Sequence, residues 1–244
     1  MIEEPPVLTI RETFPRPTQA QLDAFSGVPT GFVCDAMGGQ GALDSRIRPI
    51  GFGRDTRCEV VGTALVADNG PQEILATMAA LHILQPGDIV VAAVHGHRNC
   101  SASGDQFCGM LRNKGAGGLV TDGEMRDYDG IVETGLPVWC TGLSPNSPYA
   151  HGPARVGFGA VVGGRQVNSG DIIVADRNGV VVVPFERIDQ VIAQVARVSA
   201  LEAALEEKVK SGFCQMQAIE EMIADGRAVI VDETQVAMRE GKPQ

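Results

Sequence analysis

A chain of 244 residues with 44% hydrophobic content can bury a substantial core, and 30 glycines with 14 prolines imply short elements joined by many turns. A formal net charge of −10 without any cluster of Lys or Arg argues against nucleic acid as a direct partner, because phosphate binding needs a basic face. No apolar run approaches the ~18 residues needed to span a bilayer, and the Met-Ile-Glu-Glu-Pro-Pro start lacks the basic and apolar segments of a secretory signal. The expectation is therefore a cytoplasmic protein with no membrane partner.

In chain order, Thr18 to Phe25 and Pro29 to Met37 read as short helices, and Cys58 to Ala67 as a strand. Pro71 to Leu84 reads as a helix opened by its proline. Asp88 to Val94 is an apolar strand, and a helix opening at Ser103-Gly104-Asp105 runs to about Lys114. Gly117 to Val120 reads as a buried strand, and Pro137 to Thr141, Val156 to Val162 and Gly179 to Val183 add further strands. Gly87-Asp-Ile-Val-Val-Ala-Ala93 returns as Gly170-Asp-Ile-Ile-Val-Ala-Asp176, each time a turn feeding a strand. No longer period accompanies it, so it is shared turn chemistry rather than a repeat. Beyond Phe185 apolar residues at 191, 195, 198, 201, 205 and 209 fall at helical spacing, and a second helix past Gly212 extends to about Ala224. The pattern implies an α/β fold, a central β-rich core covered by helices, over residues 1–184. Residues 185–244 form a helical extension that packs on the core or on a neighbouring subunit.

The chemistry-bearing stretch is Gly118-Leu-Val-Thr-Asp-Gly-Glu-Met-Arg-Asp127, a buried strand, a turn for which Gly123 is suited, and then an adjacent arginine and carboxylate. Arg126 and Asp127 stand where a strand meets a helix, the usual address for chemistry in α/β folds, and together can hold a metal and an oxyanion. Read alone, the pair is equally a surface ion pair opening a helix. Upstream, Cys100-Ser-Ala-Ser-Gly-Asp-Gln-Phe-Cys108 supplies a second helix start, where the backbone N–H groups of Gln106 and Phe107 can bind a carboxylate without any side chain.

Gly104-Asp105, a helix, and Lys114-Gly-Ala-Gly-Gly-Leu-Val-Thr-Asp-Gly-Glu-Met-Arg-Asp127 together resemble the core motif of the metal-dependent 4-hydroxy-4-methyl-2-oxoglutarate aldolase family, which also contains the regulator of ribonuclease E activity A. The resemblance continues through Gly135-Leu-Pro-Val138, Gly142-Leu-Ser-Pro145 and Ser169 to Pro184, and more loosely back to about Val28. This chain departs from it at His95-Gly-His97-Arg98-Asn99, where relatives are glycine-rich, and in its C-terminal extension. The resemblance implies a swivelling β/β/α-type fold and a homotrimer or homohexamer. It implies Mg²⁺ or Mn²⁺ held directly by Asp127 and through water by Asp105 and by Glu202 of the partner subunit. It further implies that Gly104, the Gln106 and Phe107 amides and Arg126 grip a 2-oxo acid, with Arg126 stabilising the developing oxyanion and Asp105 serving proton transfer. The implied reaction is retro-aldol cleavage of a 4-hydroxy-2-oxo acid of the 4-hydroxy-4-methyl-2-oxoglutarate or 4-carboxy-4-hydroxy-2-oxoadipate type, with oxaloacetate decarboxylation as a side activity. The alternative within the same resemblance is a non-catalytic protein-binding regulator of the ribonuclease E inhibitor type, whose motif can lack the aspartate at position 127.

Other chemistries find less support. A Schiff-base aldolase needs a desolvated lysine, and Lys114, Lys208, Lys210 and Lys242 all stand in polar or terminal settings. His95 and His97 could place two imidazoles together but lack further zinc ligands. Six cysteines without a Cys-x-x-Cys pair indicate buried apolar residues rather than a zinc knuckle or a disulfide framework. There is no Gly-x-Ser-x-Gly elbow, and Gly157 to Gly163 has the wrong spacing for a dinucleotide fingerprint.

Overall fold

The computed structural model of the protein describes residues 6–231. Met1 to Pro5, on which most of the signal-peptide reading rests, and the end of the extension with Lys242 lie outside the described residues. The strands are β1 (Leu8–Ile10), β2 (Arg48–Pro49), β3 (Val60–Asp68), β4 (Ile89–Ala93), β5 (Ser101–Ser103), β6 (Gly118–Thr121), β7 (Glu124–Met125), β8 (Val138–Cys140), β9 (Ala154–Val156), β10 (Gly159–Val162), β11 (Arg165–Asn168), β12 (Ile172–Ala175) and β13 (Val180–Val183). The helices are α1 (Gln19–Asp23), α2 (Thr30–Ala36), α3 (Leu75–Ile83), α4 (Asp105–Asn113), α5 (Tyr128–Thr134), α6 (Ile188–Lys210) and α7 (Gln217–Ala224). This is the mixed α/β fold expected, with a central sheet and helices.

The sheet is organised by β3, the longest strand. Its second half pairs parallel with β4, which continues parallel to β6 and β8, while its first half pairs antiparallel with β12, the partner of β13. The parallel strands are apolar on both faces, as strands buried on both sides must be. Along β4, Val90 and Ala92 join Leu65, Leu119 and Val138 under Ala80 of α3, Leu111 of α4 and Ile131 of α5. Ile89, Val91 and Ala93 point the other way and join Trp139, Val162, Val167 and Ile173. The two-residue alternation of strand side chains thus builds two cores from one sheet. A third cluster sets Phe25, Val33 and the first turns of α6 (Ile188, Val191, Val195) on β12 and β13.

The recurring Gly-Asp-Ile phrase is explained by its buried aspartates. Asp88 takes the Arg16 guanidinium at 2.6 Å and the Gln85 amide at 2.9 Å, and Asp171 takes the Asn168 and Phe185 amides at 2.8 and 2.9 Å. Cys58, Cys100, Cys108 and Cys140 are buried thiols, and burial raises Cys108 to about 12 and Cys140 to about 11.

Several expectations are corrected. The helix expected from Pro71 begins only at Leu75, because Gln72 takes a left-handed φ of 58° and the buried Glu73 carboxylate accepts the Ile74, Leu75, His151 and Gly152 amides. The single strand expected over Val156 to Val162 is two strands in different sheets, broken at Gly157 with φ 83°. The segment after Gly164 is strand β11, hairpinned to β10. Gly123 serves close packing rather than a turn angle: a methyl there would lie 2.5 Å from Val94 Cγ2 and 3.1 Å from the Ala102 methyl. The chain divides into compact units at Met1–Ser199 and Ala200–Gln244, so the boundary falls inside α6 rather than between residues 184 and 185. The reason is that the first turns of α6 carry the apolar residues that complete the third core cluster.

Trp139 is fully buried in the second core cluster, and its indole N–H donates to the Asp176 carbonyl at 2.9 Å. Trp139→Ala should therefore cost about 3–5 kcal/mol of unfolding free energy in urea denaturation; a loss below about 1 kcal/mol would show that this layer does not hold the fold.

Candidate functional site

The site forms where three chain segments meet beyond the carboxyl end of β6. Short parallel pairing of β5 with β7 brings Ser103 beside Met125, and the Arg126 amide donates to the Ser103 carbonyl at 3.1 Å. This brings the start of α4 directly against Arg126 and Asp127. Gly104, the residue before α4, lies so close that a methyl on it would stand 2.5 Å from Asp127 Oδ2 and 3.1 Å from Arg126 Nε. A side chain here would push the Asp127 and Arg126 side chains aside.

Asp127 precedes α5 in a left-handed conformation (φ 60°, ψ 52°), which aspartate tolerates better than most residues. Its carboxylate makes no capping hydrogen bond to that helix, and with Arg126 it forms the surface ion pair at a helix start that the two residues suggest when read alone. Oδ2 accepts from Arg126 Nε at 3.1 Å, with 43% of the Asp127 side chain and 37% of Arg126 open to solvent. The Arg126 guanidinium also donates through Nη1 to Ser147 Oγ. Ser147 belongs to a loop that is stitched down nearby: Ser144 N donates to the Met125 carbonyl at 2.8 Å, and Asn146 Nδ2 to the Asn99 carbonyl at 2.7 Å.

At the start of α4 the outcome is mixed. Asp105 sits against α5, where any side chain at Gly130 would overlap its carboxyl group. Its Oδ1 accepts the Gln106 amide at 2.6 Å, so that amide, expected to face a ligand, is taken by a local cap. The Phe107 amide, third in the helix, has no intrahelical acceptor by position. Glu202 lies in α6, half-buried, within the Ala200–Gln244 unit.

Beside Arg126 and Asp127 is an open hollow of about 310 Å³ completed by Tyr128, Leu143, Ser144 and Pro145. Tyr128 is seated on Gly51, where a methyl would meet its ring, and its hydroxyl donates to Asp55 Oδ2 at 2.5 Å. That hydrogen bond, with lesser help from desolvation and the Asp55 charge, raises the phenol above its ordinary value. Sequence reading did not single out Tyr128, Leu143 or Ser147; the Ser-Pro-Asn-Ser-Pro run from Ser144 marks a loop, but only folding brings it to Arg126.

In the histidine segment the two imidazoles have different surroundings. His95 Nε2 lies 2.8 Å from Asp68 Oδ1, while His97 Nε2 is buried without a partner among the described residues. Two buried carboxylates hold this loop: Asp122 accepts the Val94 and Gly96 amides at 2.8 and 2.9 Å, and Glu124 accepts the Asn99 amide at 2.8 Å. Burial raises the Asp122 carboxyl, opposed by those amides. Among the described residues no three His, Cys, Asp or Glu side chains converge on a common metal position. A cation at Asp127 would therefore have one carboxylate of this chain, its remaining positions being left to water and substrate. That donor set, a single exposed oxygen ligand, fits Mg²⁺ or Mn²⁺, which keep most of their waters, better than zinc.

Comparison with known proteins identifies the family of the chain. The pattern of the family RraA-like, described as Aldolase/RraA, matches residues 30–182. A protein of Halalkalibacterium halodurans named "Putative 4-hydroxy-4-methyl-2-oxoglutarate aldolase" is 28% identical over 210 residues, 84% of this chain and 98% of its own. The Streptomyces coelicolor protein RraAS2, described as an unusual member of the RNase ES inhibitor RraA protein family, superposes with a TM-score of 0.66 at 26% identity, covering 80% of this chain and 98% of that one. An uncharacterized Pseudomonas syringae protein shares the fold with a TM-score of 0.69 at 24% identity, over 83% of this chain and 97% of its own.

Gly104→Ala tests the close approach. The added methyl must displace these two side chains and should break the Arg126–Asp127 ion pair, seen in NMR as a shifted, faster-exchanging Arg126 Nε–H signal. An unchanged signal would show that the contact is slack.

Proposed function

The chain belongs to the RraA-like, Aldolase/RraA family, and on that premise we propose that it is a divalent-metal-dependent carbon–carbon lyase acting on a 4-hydroxy-2-oxo acid, with pyruvate as one product. The observation that carries this reading is Asp127. It is an exposed carboxylate, released from helix capping and set beside a guanidinium at the mouth of a hollow. The names of relatives such as the Halalkalibacterium halodurans protein support the aldolase side of the family.

Bound at Asp127, Mg²⁺ or Mn²⁺ supplies Lewis-acid polarisation of the 2-oxo group. The remaining work falls to side chains of this chain. Arg126 is fixed at Nε by Asp127 and at Nη1 by Ser147, which leaves Nη2 for the substrate. Its charge opposes the negative charge that develops on the 2-oxo oxygen as the C3–C4 bond breaks, the largest contribution in reactions of this kind. The Phe107 amide and the positive end of α4 grip the substrate carboxylate. Asp105 takes the 4-hydroxyl proton through water and returns it to C3. Gly104 keeps the Asp127 side of the hollow open.

Asp127→Ala should abolish metal-dependent release of pyruvate, as should a strong chelator on the wild type, with activity restored by added Mg²⁺ only in the wild type. Arg126→Lys keeps the charge but loses the planar fork and should lower kcat by about 10²–10³. Activity retained in Asp127→Ala would instead favour the protein-binding regulator.

The assembly belongs to the same proposal. Leu201, Leu205 and Val209 on α6 are 71%, 37% and 54% exposed, an apolar stripe of the kind that subunit contacts cover. It supports a homotrimer or homohexamer in which Glu202 of the partner subunit reaches the Asp127 site through water. Light scattering should give a trimeric or hexameric mass, and Glu202→Gln should raise the Mg²⁺ concentration needed for half-maximal activity with no change in thermal stability; a monomer, or an unshifted Mg²⁺ dependence, would remove Glu202 from the site.

A further inference from the structure

Resting on the lyase reading, we propose that Ser147 and Asn146 are positioning residues, which hold the Arg126 guanidinium in the plane from which it meets the substrate and tie it to the loop from Val94 to Asn99. That loop is where this chain departs from the family pattern. The Asp127 carboxylate holds Arg126 at Nε, at 3.1 Å. A contact at Nε alone leaves the guanidinium fork free to twist about its Nε–Cζ bond. The Ser147 hydroxyl accepts from Nη1, off that axis, and so fixes the plane of the fork and the direction of Nη2.

Two solvent-exposed side chains do not hold such a contact by themselves, because each loses rotamer freedom for a hydrogen bond that water can replace. Ser147 is exposed, so the restraint has to come from its backbone. Pro148 follows it, and a residue ahead of proline is confined to extended backbone. Before it, the Asn146 carbonyl accepts the amide and the hydroxyl of the buried Ser101, at 2.9 and 2.8 Å. Asn146 Nδ2 donates in the other direction, to the Asn99 carbonyl at 2.7 Å. After it, the Tyr149 amide donates to the Gln72 carbonyl at 2.8 Å.

The Asn99 carbonyl is itself aimed. Asn99 has a left-handed φ of 65°, which asparagine tolerates better than most residues, and its amide donates to Glu124 Oε2 at 2.8 Å. Glu124 is buried and lies two residues before Arg126 on the same strand end. The contacts therefore form a closed circuit through Glu124, Asn99, Asn146, Ser147 and Arg126, in which the guanidinium is oriented against the backbone that carries it. Because Arg126 acts on charge that develops as the C3–C4 bond breaks, its loss of orientation falls on kcat rather than on KM.

The test uses the full-length protein and has two arms. In the protein without metal or substrate, nitrogen NMR should resolve two separate Nη resonances for Arg126, because the twist about Nε–Cζ is slow. Ser147→Ala and Asn146→Ala should each merge them, whereas Ser147→Thr, which keeps the hydroxyl, should leave them separate. With Mg²⁺ and 4-hydroxy-4-methyl-2-oxoglutarate, both alanine variants should lower kcat about tenfold and change KM less than about twofold, within the ~10² that a misplacement of 1 Å costs. Lysine has no Nη1, so Ser147→Ala added to Arg126→Lys should lower kcat no further. Merged resonances in the wild type, or separate ones in either alanine variant, overturn the positioning role whatever the activity. A further loss in the Arg126→Lys background overturns it too, because Ser147 then acts on something other than the fork. No pyruvate from the wild type with Mg²⁺ or Mn²⁺ counts against the lyase reading alone, and the NMR comparison still decides whether the fork is held.

Discussion

The site depends on one close approach, the backbone of Gly104 against the side chains of Arg126 and Asp127. Because Gly104 has no side chain, the Arg126 and Asp127 side chains can lie directly over the helix start in this arrangement. The approach is secured from both sides: the Arg126 amide is tied to Ser103, and Gly130 makes room for the Asp105 carboxyl group. Two carboxylates, a guanidinium and a helix start are thereby held within one junction, although they come from different elements. The left-handed backbone of Asp127 belongs to the same constraint, because it turns the carboxylate away from the helix that it would otherwise cap.

The junction is in turn carried by the parallel strands. β4, β6 and β8 are apolar on both faces and end together, so the segments leaving them emerge on one side of the sheet. Asp122 and Glu124 follow β6 at that edge, and both are buried and consumed in holding the loop from Val94 to Asn99. Through Asn99 and Asn146 the same loop supports the segment that delivers Ser147 to Arg126. The histidine-containing departure from the family pattern therefore has a structural consequence. It supplies part of the platform beneath the arginine.

Strands and helices with unbroken periodicity were legible from residues alone: β4, β6, β8, β13 and the long α6 appear where apolar spacing places them. The errors arose where a local signal met a stronger tertiary demand. Proline at 71 is a good helix opener, yet the buried Glu73 carboxylate collects four amides and postpones the helix to Leu75. Val156 to Val162 looks like one strand because apolar content says nothing of a left-handed glycine at 157 that sends its halves to different sheets.

What the sequence determined by itself was the chemistry available: a strand-end Arg126-Asp127 pair, a helix start at Gly104-Asp105, few lysines, and an α6 whose apolar stripe is too long for one core. These depend on residue type and short-range spacing, which survive in one dimension. Only the tertiary structure decided which groups stay free. It spent the Gln106 amide on Asp105, the Tyr128 hydroxyl on Asp55 and two Arg126 nitrogens on Asp127 and Ser147. It also made Leu143 and Tyr128 the wall of the hollow. A hydrogen-bond donor can be counted in a sequence, but whether it is already satisfied depends on partners such as residues 55 and 147, distant along the chain and adjacent only once it has folded.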